Sequence, residues 1–371
     1  MTATKGIIFS GDSFTWGEGL ELFSYLPSTN HYIDKQKYSM DGPHNFAWDP
    51  KFKYSHRMFQ QKSRFARLVA NHFNTWEDVY DRNGGCPYSN LDELFFQIDR
   101  TPLTDVSDIV IQITDIWRSV GVALHPMTHY FGIEDAPADL SKKLVPFKPR
   151  FGNNSGLYIF DLDIDDINNN PSHFCSPDVF EKYHHQLEPI IRTAMSYEGY
   201  LKKGLTLDDA IKHVSTYVTK TPASKIDLEK CYNFIITEYS DFGSNVNEIF
   251  ENLSLHLVKE YLWFIETYVK EIADEFGVNI TFIPPFNESY EWFLTVNNPF
   301  YMENRVLLRY EDEVHESWAG LRDRFDIQNI PGFEWSRNMH PNVDGHMIFA
   351  NSIIHHWTLT QNNSNSLKKI I

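Results

Sequence analysis

The chain has 371 residues, with 50 acidic against 33 basic side chains and a formal net charge of −17. A surface that tracks phosphates needs clustered excess Lys and Arg, so this balance argues against non-specific nucleic-acid binding and against an anionic membrane as partner. With 42% hydrophobic and 15% aromatic residues, the composition is that of a folded globular protein with ample material for a core.

Lys5 to Ser10 is a short apolar run ending in Gly11-Asp12-Ser13, which reads as a buried strand entering a turn. Residues 20 to 60 are rich in Tyr, His, Pro and Asn without a steady period and read as a long irregular excursion. Arg64 to Phe73 sets Phe65, Leu68, Val69 and Phe73 on one face at helical spacing, predicting a core-facing helix. Asp78 to Arg82 is a short strand candidate before Asn83-Gly84-Gly85, and Leu91 to Ile98 a helix. Asp108 to Thr114 is a near-continuous β-branched run, as expected of a strand covered on both faces.

From Arg118 to about Gly243 regularity falls, with a short helical piece at Leu207 to Val218. Ser244 is a candidate cap for a long helix whose apolar face holds Ile249, Leu253, Leu257, Phe264, Tyr268 and Ile272, with Gly277 at its end. Val278, Ile280 and Phe282 then alternate as a strand, stopped by Pro284-Pro285. Pro341 is placed to open a final helix with Val343, Met347, Ala350, Ile354 and Trp357 inward. Strands alternating with helices predict an α/β fold built of parallel βαβ units.

No stretch approaches the ~20 apolar residues of a membrane helix; the richest run, Tyr261 to Val269, is broken by Glu266. The N-terminal run reaches Asp12 too soon to hold a signal-peptide apolar region, so a cytoplasmic location is expected. Cys86, Cys175 and Cys231 are odd in number and widely spaced, indicating neither a disulfide framework nor a thiolate zinc site. His125 and His129 have i,i+4 spacing, but Pro126 argues against the helix that would align them for zinc. Asp161-Leu162-Asp163-Ile164-Asp165 starts like a calcium loop, yet the sixth place is Asp166 and the twelfth Ser172, so one wet strand face is the simpler reading. The pairs His184-His185 and His355-His356 read as surface or partly buried, and Cys86 as a packing residue. No cofactor or metal is expected.

Open α/β sheets place their sites at the carboxyl ends of strands. The residues found there are Gly11-Asp12-Ser13-Phe14-Thr15-Trp16-Gly17, Asn83-Gly84-Gly85 and Thr114-Asp115, with His340-Pro341-Asn342-Val343-Asp344-Gly345-His346 before the last helix. This set resembles the SGNH (GDSL-type) hydrolase family: the first block fits Gly-Asp-Ser-x-Thr-x-Gly, and the last fits His-Pro-x-x-x-Gly followed by a small residue, Ala350. The resemblance implies an SGNH-hydrolase-like three-layer sandwich with a central parallel sheet, formed by residues 1–117 and 244–371. Residues 118–243 would be a large insertion forming a cap or side lobe.

The resemblance also implies an ester hydrolase acting through an acyl-enzyme. A serine hydroxyl is a weak nucleophile and needs a base and donors for the developing oxyanion. Ser13 would attack, His340 would move the proton, and Ser13 N–H, Gly85 N–H and Thr114 would hold the oxyanion. Two departures from the family pattern stand out. Thr114 replaces the Asn of the third block, here Gln112-Ile113-Thr114-Asp115, and Arg337 stands where the acid three residues before the histidine is expected. Glu334 or a main-chain carbonyl between Glu334 and Met339 is then the expected partner of the imidazole, or the site works as a Ser-His dyad.

Trp16, Trp117, Arg118 and Arg337 are candidate substrate-binding residues, and by analogy with family members the favoured substrate is an acetylated sugar, whose faces suit aromatic rings. The irregular second block and Arg118 also resemble SGNH-like proteins of marine bacteriophages, which would place the protein in a virion if phage-encoded. The alternative class is a non-catalytic carbohydrate-binding or structural virion component. Partners are expected to be a small-molecule or saccharide ester, with no nucleic acid and no membrane, and a homo-oligomer is left open.

Overall fold

The computed structural model describes residues 5–17, 20, 54–79, 87–119, 121–123, 184–204, 206, 228–285, 289–325 and 340–367, some of them by their backbone alone. The chain divides into two compact units, Met1–Asp115 with Leu262–Ile371, and Ile116–Tyr261. The first unit opens with β1 (Gly6–Ser10), the single-turn α1 (Ser13–Trp16), α2 (Tyr54–Ser63), α3 (Phe65–His72), β2 (Glu77–Val79), α4 (Pro87–Arg100) and β3 (Val106–Gln112). The second unit holds β4 (Gly121–Ala123), β5 (His184–Gln186), α5 (Leu187–Lys202), α6 (Leu228–Glu238) and most of α7 (Val246–Phe264). The chain re-enters the first unit within α7 and continues as a π-helical turn, Ile265–Lys270, and α8 (Glu271–Phe276). It then forms β6 (Asn279–Ile283), α9 (Tyr290–Val296), α10 (Pro299–Asn304), β7 (Leu308–Tyr310), β8 (Glu313–His315), α11 (Arg322–Phe325) and α12 (Val343–Leu367).

The first unit is α/β, with a central parallel sheet of order β2-β1-β3-β6. β1 and the carboxyl-terminal halves of β3 and β6 are buried, with apolar side chains on both faces, whereas edge strand β2 is half-buried. Ile7 and Phe9 of β1, Val110 of β3 and Ile283 of β6 join Phe65, Ala66 and Val69 of α3 and Ile348, Phe349, Ala350 and Ile353 of α12 in one cluster. Ile8, Ile109 and Ile111 alternate with these residues along the strands and are equally enclosed, as the period of two requires. α4 packs on β1 and α8 on β6 without entering that cluster, an arrangement consistent with a three-layer sandwich. Edge strand β2 is tied to α3 by the buried Glu77 carboxylate, which accepts from Arg67 Nε at 2.7 Å and Arg64 Nη2 at 3.3 Å.

Strand order decides where a site can form. The chain leaves β1 for β2 on one side, then returns to place β3 on the other side of β1, with β6 beyond it. The winding therefore reverses between β1 and β3, and in open parallel sheets the crevice outside the carboxyl ends at such a reversal receives ligands. Ser10↔Ile111 is the last register pair of β1 and β3, so the turn after Ser10 and the residues after Ile111 open at that place.

Several elements differ from expectation. Residues 54–60, expected to be irregular, belong to α2, while most of the 20–60 excursion and the 207–218 helix lie outside the described residues. β2 begins at Glu77, one residue before the expected strand, and pairs over three residues. The cap of α7 is Asn245, whose Oδ1 accepts from Glu248 N–H at 3.1 Å. Ser244 instead donates through N–H and hydroxyl to the Glu248 carboxylate at 2.9 and 2.8 Å, a capping box displaced by one residue. The helix expected as one piece to Gly277 contains the π turn, because a 3.6-residue period cannot register one widened turn. No helix among the described residues is long and apolar enough to cross a membrane.

The inner face of α12 also corrects the reading. His346, Phe349, Ala350, Ile353 and Trp357 are buried, whereas Met347 is 48% exposed and Val343 and Ile354 are half-buried. Four consecutive residues, Met347 to Ala350, leave the rotation of the stripe undetermined by pattern alone. Phe349 packs against Phe65 at 5.6 Å and Trp318 at 5.1 Å between ring centroids. Phe349→Ala should therefore cost about 3–5 kcal/mol in denaturant unfolding, and Met347→Gln no more than about 0.5 kcal/mol. Equal costs would place the core on the other face of the helix.

Candidate active site

The site begins with the turn between β1 and α1. Gly11 carries no side chain because the space is taken: a Cβ there would lie 2.2 Å from Thr15 Oγ1 and 2.6 Å from Gln112 Oε1. Those two atoms are themselves bonded. Gln112, the last residue of β3 and 1% exposed, accepts through Oε1 from the Thr15 hydroxyl at 2.7 Å and from Asp12 N–H at 3.2 Å. Buried Asp12 then accepts from Phe14 N–H at 3.0 Å, bridging Ser13 from the other direction. Ser13, the first residue of α1, is thus flanked on both sides by bonds that fix the turn.

The far end of the sequence arrives at the same turn. The His340 imidazole is buried and stacks on the ring of Phe14, the residue after Ser13, with centroids 4.6 Å apart and planes at 22°. Its position is set by the start of α12. Asn342 Oδ1 accepts from Gly345 N–H at 2.9 Å, capping the helix, and Asn342 N–H donates to the Phe325 carbonyl at 2.7 Å. Gly345 also lies against its neighbours, since a Cβ there would meet Trp318 at 2.7 Å and Pro341 at 2.8 Å. The Pro, Asn and Gly of the block are therefore accounted for by how His340 is delivered.

The first turn of α12 carries a second imidazole that sequence reading left unassigned. His346 is fully enclosed, accepts at Nδ1 from Phe65 N–H at 3.2 Å, and stacks on the Phe65 ring at 5.7 Å. It is held neutral: burial, and secondarily the charge of Arg64, push its pKa down to about 3. A polar residue spaced for the buried face of an apolar helix was the available signal, since such a group must find a partner.

The other expected site residues fall into three groups. Thr114 follows β3 and is buried, and the adjacent Asp115 accepts from the Ser289 hydroxyl at 3.1 Å. Trp16 ends α1 and Arg118 lies in the 3₁₀ turn Ile116–Ser119. Gly85, Glu334 and Arg337 lie outside the described residues. Trp117 requires a correction. It has no exposed surface, its indole N–H donates to Ser254 Oγ at 3.0 Å, and its ring stacks on Phe250 at 5.2 Å and 14°. An aromatic ring so enclosed offers no face to a sugar; Trp117 holds the second unit together. Among the described residues no group of His, Cys, Asp and Glu is arranged to hold a metal ion. Compared with family models, curated proteins and solved structures, the chain matches none.

Two outcomes follow from this geometry. Gly11→Ala forces its methyl into the Thr15–Gln112 bond and should cost about 1–3 kcal/mol, as overpacking does; a neutral substitution in thermal melts would contradict the clamp. The neutral His346 ring contributes stability that is fully present above the unfolded-state value near 6.5. It is lost as pH falls from there toward the folded value of about 3, because only the unfolded chain takes up the proton in that window. His346→Leu should lower stability at pH 8 yet flatten its decline between pH 6 and 4 by about one proton. Denaturant midpoints against pH measure this, and an unchanged slope would contradict it.

Proposed function

We propose that the protein is a serine ester hydrolase of the SGNH type, acting through an acyl-enzyme. One observation carries the reading: the His340 ring, from the far end of the sequence, lies against Phe14 beside Ser13, at the winding reversal of a parallel sheet. A turn fixed by buried bonds on both sides of a serine, with an imidazole delivered to it, is the arrangement that nucleophilic acyl transfer needs.

In this reading the Ser13 hydroxyl adds to the ester carbonyl carbon while its proton passes to His340. The carbonyl oxygen becomes an oxyanion held by donors that include the Ser13 N–H, with Gly85 N–H and Thr114 as the further members suggested by sequence. Collapse expels the alcohol, which takes the proton from His340, and water then releases the acid by the reverse sequence. His340 requires an acceptor on its other nitrogen to hold the tautomer that receives the serine proton; the sequence candidates for that place, Glu334 and a main-chain carbonyl between Glu334 and Met339, lie outside the described residues. With Trp117 enclosed, the case for a carbohydrate O-acetyl ester rests on Trp16 and on analogy.

Hydrolysis of p-nitrophenyl acetate and of acetylated sugars tests the reading. The wild type should turn over at least one of them, and Ser13→Ala and His340→Ala should each lower kcat by about 10³-fold or more while melting as the wild type does. Wild-type turnover unaffected by either substitution would reject the assignment. No turnover of any ester by the wild type would favour a non-catalytic binding component.

A further inference from the structure

The contact between Phe14 and His340 sets ring face on ring face. The centroids lie 4.6 Å apart and the planes differ by 22°. Both rings are withdrawn from water, Phe14 at 5% and His340 at 9% exposure. The face of a benzene ring is the negative end of its quadrupole, so a cation laid against it is attracted, and more strongly where solvent is excluded. Both partners are held in place. Phe14 N–H donates to Asp12 Oδ1 at 3.0 Å and the Phe14 carbonyl accepts from Gly17 N–H at 3.2 Å, while His340 is set by the capped start of α12. Phe14 also belongs to the core cluster, so packing explains part of its place. A second stacked pair shows the contrast. His346 lies on Phe65 at 5.7 Å, but its Nδ1, the atom a second proton would have to occupy, accepts from Phe65 N–H. That contact is packing alone, whereas His340 is the imidazole that acyl transfer charges.

We propose that Phe14 is a positioning residue of this site, whose ring face holds the His340 imidazole and stabilises the cation it becomes during acyl transfer. The inference rests on the ester-hydrolase reading above. As Ser13 Oγ bonds to the carbonyl carbon, its proton passes to His340, and the imidazolium persists until the departing alcohol takes that proton. A neutral imidazole gains only packing from the ring face; the imidazolium gains the cation–π attraction as well. The contact is therefore stronger in the charged state that accompanies bond making and breaking than in the resting state, which is the condition for lowering a barrier. In serine hydrolases with a triad an acid stabilises the imidazolium; here Arg337 stands at the place where the family pattern has one, and the Phe14 ring makes up part of the loss. The charged groups on the elements around His340 are Asp12 before α1, Asp115 beyond β3, Asp344 in the first turn of α12, and Arg322, Asp323 and Arg324 of α11. All of them stay when only the ring at position 14 is altered, so a change in titration belongs to that ring.

Fluorination of the ring tests this with little change of shape. Mono-, di- and trifluorinated phenylalanine at position 14 keep the packing while weakening the negative face stepwise. On p-nitrophenyl acetate, kcat should fall with each step, to about tenfold below the wild type in the trifluorinated protein, with KM within about threefold and thermal melts unchanged. The acid limb of kcat/KM, where the imidazole base is lost to protonation, should move down by about one pH unit, because a less stabilised cation forms only at lower pH. NMR titration of the His340 ring should show the same displacement. Phe14→Leu should lose at least as much kcat as the trifluorinated protein; the fluorinated series decides the matter should that variant fail to fold. A purely structural role would lower stability and leave the acid limb in place. Unchanged kcat or an unmoved acid limb across the fluorinated series would overturn the inference and leave the hydrolase reading intact. Absence of any wild-type turnover would overturn both.

Discussion

The carboxamide of Gln112 joins the ends of two parallel strands. By accepting from both Asp12 N–H and the Thr15 hydroxyl, it converts the exit of β1 from a loop into a turn of fixed shape. Gly11 is required because that bond occupies the place of a side chain, and Asp12 is held where it accepts from Phe14 N–H. Phe14 in turn supplies the surface on which His340 rests. Two buried bonds to one side-chain oxygen are each worth only about 1 kcal/mol net, so their importance here is in specifying a single conformation.

Sheet topology explains how residues remote in sequence share this place. Parallel strands put all their carboxyl ends on one edge, and the order β2-β1-β3-β6 opens that edge between β1 and β3. α12 delivers His340 there because its buried face is anchored by Phe349, Ile353 and Trp357 on the side of the sheet that α3 also covers. Trp357 adds an indole N–H donated to Thr281 of β6 at 2.9 Å. Core packing and site assembly are therefore one problem: rotating α12 to bury Met347 would carry the start of the helix, and His340 with it, away from Phe14.

The sequence revealed the strands well because burial on both faces writes itself as unbroken runs, Gly6-Ile7-Ile8-Phe9 and Ile109-Val110-Ile111. The turn glycine, the serine and the distant histidine block were legible as motifs. Less legible was anything fixed by a single contact. Whether Ser244 or Asn245 caps α7 depends on which oxygen reaches Glu248 N–H, and both are good caps. Trp117 was expected to face a substrate because it follows β3, yet its partners Phe250 and Ser254 lie more than a hundred residues onward and leave no local trace. Gln112 reads only as part of the third block, with no role of its own, although a lone amide within an apolar strand suggests a buried network.

The central claim is that His340 activates Ser13 at the mouth of β1. A fluorophosphonate reacts only with a serine made nucleophilic by its surroundings, so intact-mass and peptide mapping after labelling test that claim without choosing a substrate. The account predicts one phosphonyl group per chain, located on Ser13 and lost in His340→Ala protein of unchanged thermal stability. No labelling of the folded wild type, or labelling of Ser13 that survives loss of His340, would contradict it.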